Sequence, residues 1–366
     1  MLQYILSFIV LISIVVFIHE YGHYYFAKKY KVGVTDFSIG FGKELFGFND
    51  KDGTRWKICA IPLGGYVKFF GDSNSASQPS SLSKINEDDH SKLLTTKPLY
   101  QRAIIVSAGP IANFILAIFI FAIIFMTVGK DITIPVISEV TENSPAQEAG
   151  LKSKDQIIFI DNKKIESIND VALFITTSKN ISVKIDVLRD QKELSFSVIP
   201  EKKKTKDNFG NNIERKLIGI KLAPLQGKLN KEKMGPAKAF YLSVKETYNT
   251  ISMTLSYIGR MISGQESADQ LGGPIKIAQI SGKVAEHGLV PFLSIMAYIS
   301  ISLGLINLFP IPLLDGGHLF FYLIEFIRGK PLSENVQINF YRFGMAILFT
   351  LMFFATFNDL KSLGLF

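Results

Sequence analysis

A polytopic α-helical membrane protein of about four transmembrane helices, with cytoplasmic-side β-hairpin segments and one extracytoplasmic α+β domain, is the architecture that three features of the chain dictate. Apolar residues make up 48% of the 366 and are gathered in charge-free blocks. Between the blocks lie glycine-bearing, strand-like stretches and one stretch patterned as a small soluble domain. Lysines and arginines cluster at the same side of successive blocks.

Residues 1–18, 103–128 and 288–314 carry no charged side chain, and each is close to or beyond the ~20 residues that cross a hydrocarbon core as helix. A fourth span is expected over 343–357, extended back through 336–341 across Arg342, whose long side chain can reach the interface. The start, MLQYILSF, lacks the basic segment of a signal peptide, and no small-x-small site precedes the first histidines, so the first run is expected to stay as a span. Lys28, Lys29 and Lys31 follow the first span, Lys97 and Arg102 precede the second, and Arg328 and Lys330 follow the third. Short basic flanks are cytoplasmic, which sets both termini and the region between the second and third spans outside. The formal charge of +8 suits an anionic lipid bilayer and gives no reason to invoke nucleic acid as a partner. A single cysteine, Cys59, excludes an intramolecular disulfide and a cysteine-rich metal site.

FSIGFGKELFGF at 37–48 and TRWKICAIPLGGYVKFFGD at 54–72 read as strands, punctuated by glycine where hairpins and close backbone approaches need it. The Ser-rich SNSASQPSSLSKINEDDHSK that follows reads as a flexible loop. From 132 to about 200 the pattern is VISEV as a strand, SPAQEAGL as a helix opening at Ser144, DQIIFIDNKKI as two strands about a turn, and VKIDVLRDQKELSFSV as a hairpin. Residues 202–206 read as a basic linker, and 237–262 as an amphipathic helix suited to the outer membrane face. Four regions result: 1–130 with the first two spans and the β segments, 131–202 as the soluble domain, 203–287 as linker and surface helix, and 288–366 with the last two spans.

The end of the first span reads HEYGH. An HExxH pattern on a helix sets His19 and His23 one turn apart on one face, so both imidazoles can hold one metal ion while Glu20 stands beside it. Ionisable groups at membrane depth are costly and mark functional interiors. A catalytic zinc takes three protein ligands and water, so a third ligand is expected far along the chain at similar depth. NLFPIPLLDGGH supplies Asp315 directly after the third apolar run, where Pro310 and Pro312 interrupt regular helix. Because the first and third spans run in the same sense, His19, His23 and Asp315 all fall near cytoplasmic ends. His318 is an alternative ligand, or an interfacial histidine; His90 and His287 stand in polar contexts and take no role.

HEYGH and NLFPIPLLDGG together resemble the two signatures of the site-2 protease family of intramembrane zinc metalloproteases, within it the bacterial regulator-of-sigma-E protease-like branch. The segment with Ser144, Pro145, Ala146, Ala149, Gly150, Leu151, Asp155, Ile157, Ile160 and Ile165 resembles a bacterial PDZ domain, with room for one copy where that branch has a tandem pair. The GFG at 40–42, PLGGYVK at 62–68 and LGGPIKIAQ at 271–279 resemble further family segments. The resemblance implies one Zn2+ per chain held by His19, His23 and Asp315, Glu20 as catalytic base, and Asn307 as a polar helper near the scissile bond. It implies a single-span membrane protein such as an anti-sigma factor as substrate, cut after a prior extracytoplasmic cleavage, in the bacterial inner (plasma) membrane. The segments bearing Gly40, Phe41, Gly42, Gly64 and Gly65 would then offer a strand edge to an unwound substrate, or serve only as a cytoplasmic hairpin. Two other classes stay open at this point: a membrane metal transporter, which would show pathway residues in further spans, and a membrane scaffold presenting a PDZ domain, which would need neither HExxH nor Asp315.

Overall fold

The computed structural model describes residues 2–72, 87–178, 181–206, 212–225, 227–265 and 272–362. Of the Ser-rich stretch, 73–86 lies outside the described residues, and its last residues form a 3-10 helix at Glu87–Lys92.

The charge-free runs become helices that extend past the runs themselves: α1 (Leu2–Lys29), carrying HEYGH, and α2 (Leu99–Thr127). Together with α7 (Leu289–Asn307) and α9 (Glu334–Ser362), they give, among the described residues, four helices long and apolar enough to cross a membrane. Lipid tails are as apolar as leucine, so such helices associate through close packing and buried polar contacts. Leu11 and Val15 of α1, Ala117, Ile120 and Phe121 of α2, and Met296, Ala297 and Ile301 of α7 form one buried cluster. Glycines permit the approach: an added Cβ on Gly22 would overlap the Ala108 carbonyl, and one on Gly304 would stand 2.9 Å from the Pro110 carbonyl oxygen. Pro110 removes a helical donor inside α2, and neighbouring helices accommodate it. Ser300 Oγ donates to the Asn113 carbonyl at 2.8 Å, tying α7 to α2.

Between α1 and α2 lie β1 (Val34–Asn49) and β2 (Arg55–Phe69), joined by a tight turn in which Asp50 Oδ1 accepts the N–H groups of Asp52 and Thr54. The register is unusual. Residues 34–39 of β1 pair with 65–69 on one side and 36–39 with 55–58 on the other, while 44–49 pair with 55–59, so the two long strands bend into a small sheet with 65–69 at its edge. Phe37 stacks on Trp56 at 4.1 Å between ring centroids, and Tyr24 donates to Asp50 Oδ2 at 2.9 Å, fastening the sheet to α1.

After α2 comes β3 (Lys130–Asp131), then an α+β unit: β4 (Pro135–Val140), α3 (Pro145–Glu148), β5 (Gln156–Ile160), β6 (Lys163–Lys164), α4 (Ile168–Thr177), β7 (Val183–Arg189) and β8 (Lys192–Val198). Ser144 caps α3, with Pro145 supplying a preset first helical residue. Asp155, fully buried, takes both a bidentate ion pair from Arg189 at 2.6 Å and the Lys152 N–H. Ile137, Ile157, Ile160, Val183, Ile185 and Val187 fill the core.

Two features depart from the expected domain limits. The stretch read as a basic linker is β9 (Glu201–Lys206), hairpinned with β10 (Asn212–Leu217); backbone pairing overrides the weak strand preference of lysine. The sheet then gains an edge strand, β11 (Ile220–Pro224), against β4, giving the order β11-β4-β5-β7-β8 with β6 on β5. The unit therefore extends beyond 202, because buried Ile218 and the bond from Ala146 N–H to its carbonyl fasten this later segment to α3. β12 (Lys231–Glu232) pairs with β3 at the unit's base.

The expected amphipathic helix is α5 (Pro236–Ile262), and it packs against α2 and α7 through a stripe of Ala239, Ser243 and Thr247. α6 (Pro274–Glu286) packs on α1, with Gly282 against Tyr4, and its first N–H groups are capped by the Asp359 carboxylate of α9 at 2.9–3.1 Å. α8 (Asp315–Arg328) follows the proline-interrupted loop and is tied to α2 by the Arg102–Glu325 pair.

Candidate metal centre

His19, Glu20 and His23 are all buried on α1. Their i, i+4 spacing brings the two Nε2 atoms to 3.3 Å. Asp315 opens α8 and meets them from the far end of the chain, Oδ2 at 3.2 Å from His19 Nε2 and Oδ1 at 3.4 Å from His23 Nε2. One ligand atom from each of the three lies within 4.8 Å of the others.

The loop before Asp315 explains how it arrives there. Leu313 adopts a left-handed backbone, φ 81°, which a branched side chain reaches only under strain. Gly316 and Gly317 then press onto the backbones of 308–309 and 311–312, where no side chain fits. The LDGG run thus folds back on itself and starts a helix with its carboxylate turned to α1.

α2 forms the other wall. His23 Nδ1 donates to the Ile105 carbonyl at 2.9 Å, which leaves the Nε2 lone pair for the centre. An added Cβ on Gly109 would overlap His23 Nε2 and stand 2.9 Å from His19 Cε1, so this glycine cradles both rings. Asn113, fully buried one turn on, places its amide 3.2 Å from His19 Nδ1. Neither Gly109 nor Asn113 was singled out by sequence reasoning. The signal lay in GPIAN, a glycine and an amide four residues apart inside a charge-free span.

The donor set fits a divalent cation. His23 Nε2 is an acceptor, Asp315 offers a carboxylate whose buried Oδ2 receives, among the described residues, no well-formed hydrogen bond although His19 Nε2 is 3.2 Å away, and a cation between them would relieve the convergence of lone pairs. Two imidazoles and one carboxylate leaving a position open match a catalytic zinc site.

These residues line a cavity of about 830 Å³, within the range of substrate pockets. Asn307, the last residue of α7, lines it with its amide 3.2 Å from His19 Nε2. Of the five residues expected to meet substrate, Phe41, Gly64 and Gly65 line the cavity, whereas Gly40 and Gly42 stand in β1 away from its wall. Gly65 also lies where an added Cβ would be 3.2 Å from Glu20 Cγ, and the Val67 backbone stands against the Glu20 carboxylate. His318 lines the cavity beside the Tyr341 ring, outside the three-ligand group, and burial lowers its pKa below the ordinary value. Burial likewise raises the phenol of Tyr322 nearby.

The chain belongs to Peptidase family M50, whose sequence profile matches residues 7–351. It is 45% identical over 362 residues to the Agrobacterium fabrum protein named "Putative zinc metalloprotease Atu1380", covering 98% of this chain and 96% of that one. It is 37% identical over 362 residues to "Putative zinc metalloprotease RC0203" of Rickettsia conorii, covering 98% and 99%. "Metalloprotease MmpA" of Caulobacter vibrioides is 33% identical over 386 residues, covering 99% and 96%. Family membership sets the transporter and scaffold readings aside.

Proposed function

We propose that this protein is a zinc-dependent intramembrane endopeptidase of the site-2 type, hydrolysing a peptide bond in a single-span membrane protein such as an anti-sigma factor. The observation that carries the reading is the meeting of His19, His23 and Asp315, with Glu20 beside them, among helices long and apolar enough to cross a membrane. The names of the Agrobacterium and Rickettsia relatives bring zinc into the reading, one ion for one three-ligand group.

Bound zinc supplies Lewis acidity and lowers the pKa of water to about 7. His19, His23 and Asp315 would hold it. Glu20 accepts the proton of the attacking water and delivers it to the leaving amine nitrogen. The Asn307 amide, at the end of α7 and lining the cavity, donates to the substrate carbonyl as charge develops on its oxygen. A substrate helix must unwind first, because its carbonyls are engaged in its own hydrogen bonds. Among the described residues, 65–69 pairs on one side only, and 64–67 line the cavity, which supports this edge as the place where unwound substrate adds as a strand.

In the orientation we propose, the Lys28–Lys29 end of α1 and the start of α2 face the cytoplasm, and the centre lies near that side. Gly109 and the end of α2 are 18 residues apart, or about 27 Å of helix, a separation that supports a six-stranded unit lying across the membrane from the centre. Its strand order and buried Asp155 support a PDZ-like domain; in this reading it acts on substrate admission and supplies no catalytic group.

The test is cleavage of a purified single-span reporter by the protein in detergent. Wild type should cut it and Glu20→Gln should not, with zinc content equal in both. Equal cleavage by the two would end the proposal.

A further inference from the structure

We infer that Asn113 is a positioning residue for the metal centre: its side-chain oxygen accepts the His19 Nδ1 proton and so fixes the tautomer that presents the Nε2 lone pair to zinc. The inference rests on His19, His23 and Asp315 being the zinc ligands.

Asn113 is fully buried on α2, with one amide atom 3.2 Å from His19 Nδ1. In the orientation drawn that atom is Nδ2, and among the described residues the carbonyl oxygen Oδ1 is buried without a donor. Amide oxygen and nitrogen have nearly the same shape, so which of them faces a neighbour follows from the hydrogen-bond network. Either orientation leaves one amide atom without a protein partner, so burial does not choose between them. The histidine does. If Nδ2 donated to Nδ1, the ring proton would sit on Nε2, the atom that faces His23 Nε2, Asp315 and Asn307. A protonated Nε2 cannot ligate.

Asn307 lies on the other side of the ring. Its amide is 3.2 Å from His19 Nε2, and because its oxygen and nitrogen exchange as those of Asn113 do, it accommodates either tautomer and leaves the choice to the ligand role of Nε2. The two amides thus bracket one imidazole. His23 has the equivalent arrangement in another form, its Nδ1 proton held by the Ile105 carbonyl at 2.9 Å. Both acceptors, Ile105 and Asn113, belong to α2, two helical turns apart with Gly109 midway. One face of one helix therefore sets the tautomer of both metal-facing histidines and leaves them room.

The experiment measures zinc affinity of the full-length protein in detergent, by competition with a chelator of known affinity, for wild type, Asn113→Asp and Asn113→Leu. Aspartate keeps an acceptor and has no N–H; leucine has neither. We expect Asn113→Asp to bind zinc within about threefold of wild type and Asn113→Leu to bind about 10- to 100-fold more weakly, the usual effect of losing a partner behind a metal-bound histidine. Equal, large losses in both variants would mean that the amide N–H is the working group and would overturn the inference. Wild-type affinity in Asn113→Leu would overturn it too. Should Asn113→Leu fail to fold, Asn113→Asp decides alone, since the two orientations predict opposite results for it. Absence of zinc from wild type would instead contradict the proposed function, so the two failures are distinct.

Discussion

Gly109→Ala adds one methyl on the face of α2 turned to the histidines. An ideal Cβ there stands 2.6 Å from His23 Cε1 and 2.9 Å from His19 Cε1. Carbon atoms prefer about 3.5–4.0 Å, so the rings must withdraw by roughly 1 Å. Metal sites hold their ligand distances to about ±0.2 Å. Overpacking of this kind costs ~1–3 kcal/mol. Relieved by displacing the rings, it appears as about 5- to 150-fold weaker zinc binding. The helix itself should not suffer, because alanine favours helix over glycine by about 0.8–1.0 kcal/mol. The assay is chelator competition on detergent-purified protein, with a melting curve on the same sample. A folded Gly109→Ala protein that binds zinc as tightly as wild type would refute the claim that α2 crowds the ligands.

His23→Ala should abolish zinc binding while Asp315→Asn only weakens it, since a neutral amide is a poorer ligand than a carboxylate; unchanged zinc content in both would move the ion elsewhere, with His318 next in reach of the cavity. Asn307→Leu should spare the fold and slow cleavage by about 10²-fold or more, as loss of an oxyanion donor does elsewhere; normal turnover would reduce Asn307 to a packing residue. Asp50 gives a pH prediction. Burial alone would raise its carboxyl, but hydrogen bonds from Trp56, the Thr54 N–H, Tyr24 and the Asp52 N–H hold it at about 2. A carboxyl held below its unfolded value of about 3.9 contributes stability that is full above that pH and is lost as pH falls through the folded pKa. Trp56 is the chain's single tryptophan, so its fluorescence should be flat above about pH 4 and change as the pH falls from there through about 2. Asp50→Asn should remove that step, and an unchanged titration would show that the turn is held by something else.

What could be read in advance follows physical range. Charge-free runs and an i, i+4 histidine pair are local patterns, so the four long helices and the face shared by His19 and His23 were legible. Asp315 was legible because two prolines and a carboxylate at the end of an apolar run leave few roles, and because helices of like sense bring like ends together. The strand at Ile220–Pro224 was not, since its five residues look like part of a linker until β4 offers an edge. Lys202 to Lys206 misled for the same reason: composition argued for solvent, and a partner strand decided otherwise. Gly109 and Asn113 were visible as residues but silent as function, because a glycine's use depends on what another helix presses against it. The bent register of β1 and β2, which leaves 65–69 as an edge, arises from double pairing that no alternation pattern encodes.

The central claim, that α1 and the start of α8 jointly hold a catalytic zinc, is tested most directly by metal content per chain. The purified wild-type protein and Glu20→Gln should each carry one zinc, and His19→Ala and His23→Ala should carry almost none at the same folded concentration. Zinc retained in full by both histidine variants, or absent from a folded and cleavage-competent wild type, would contradict the account.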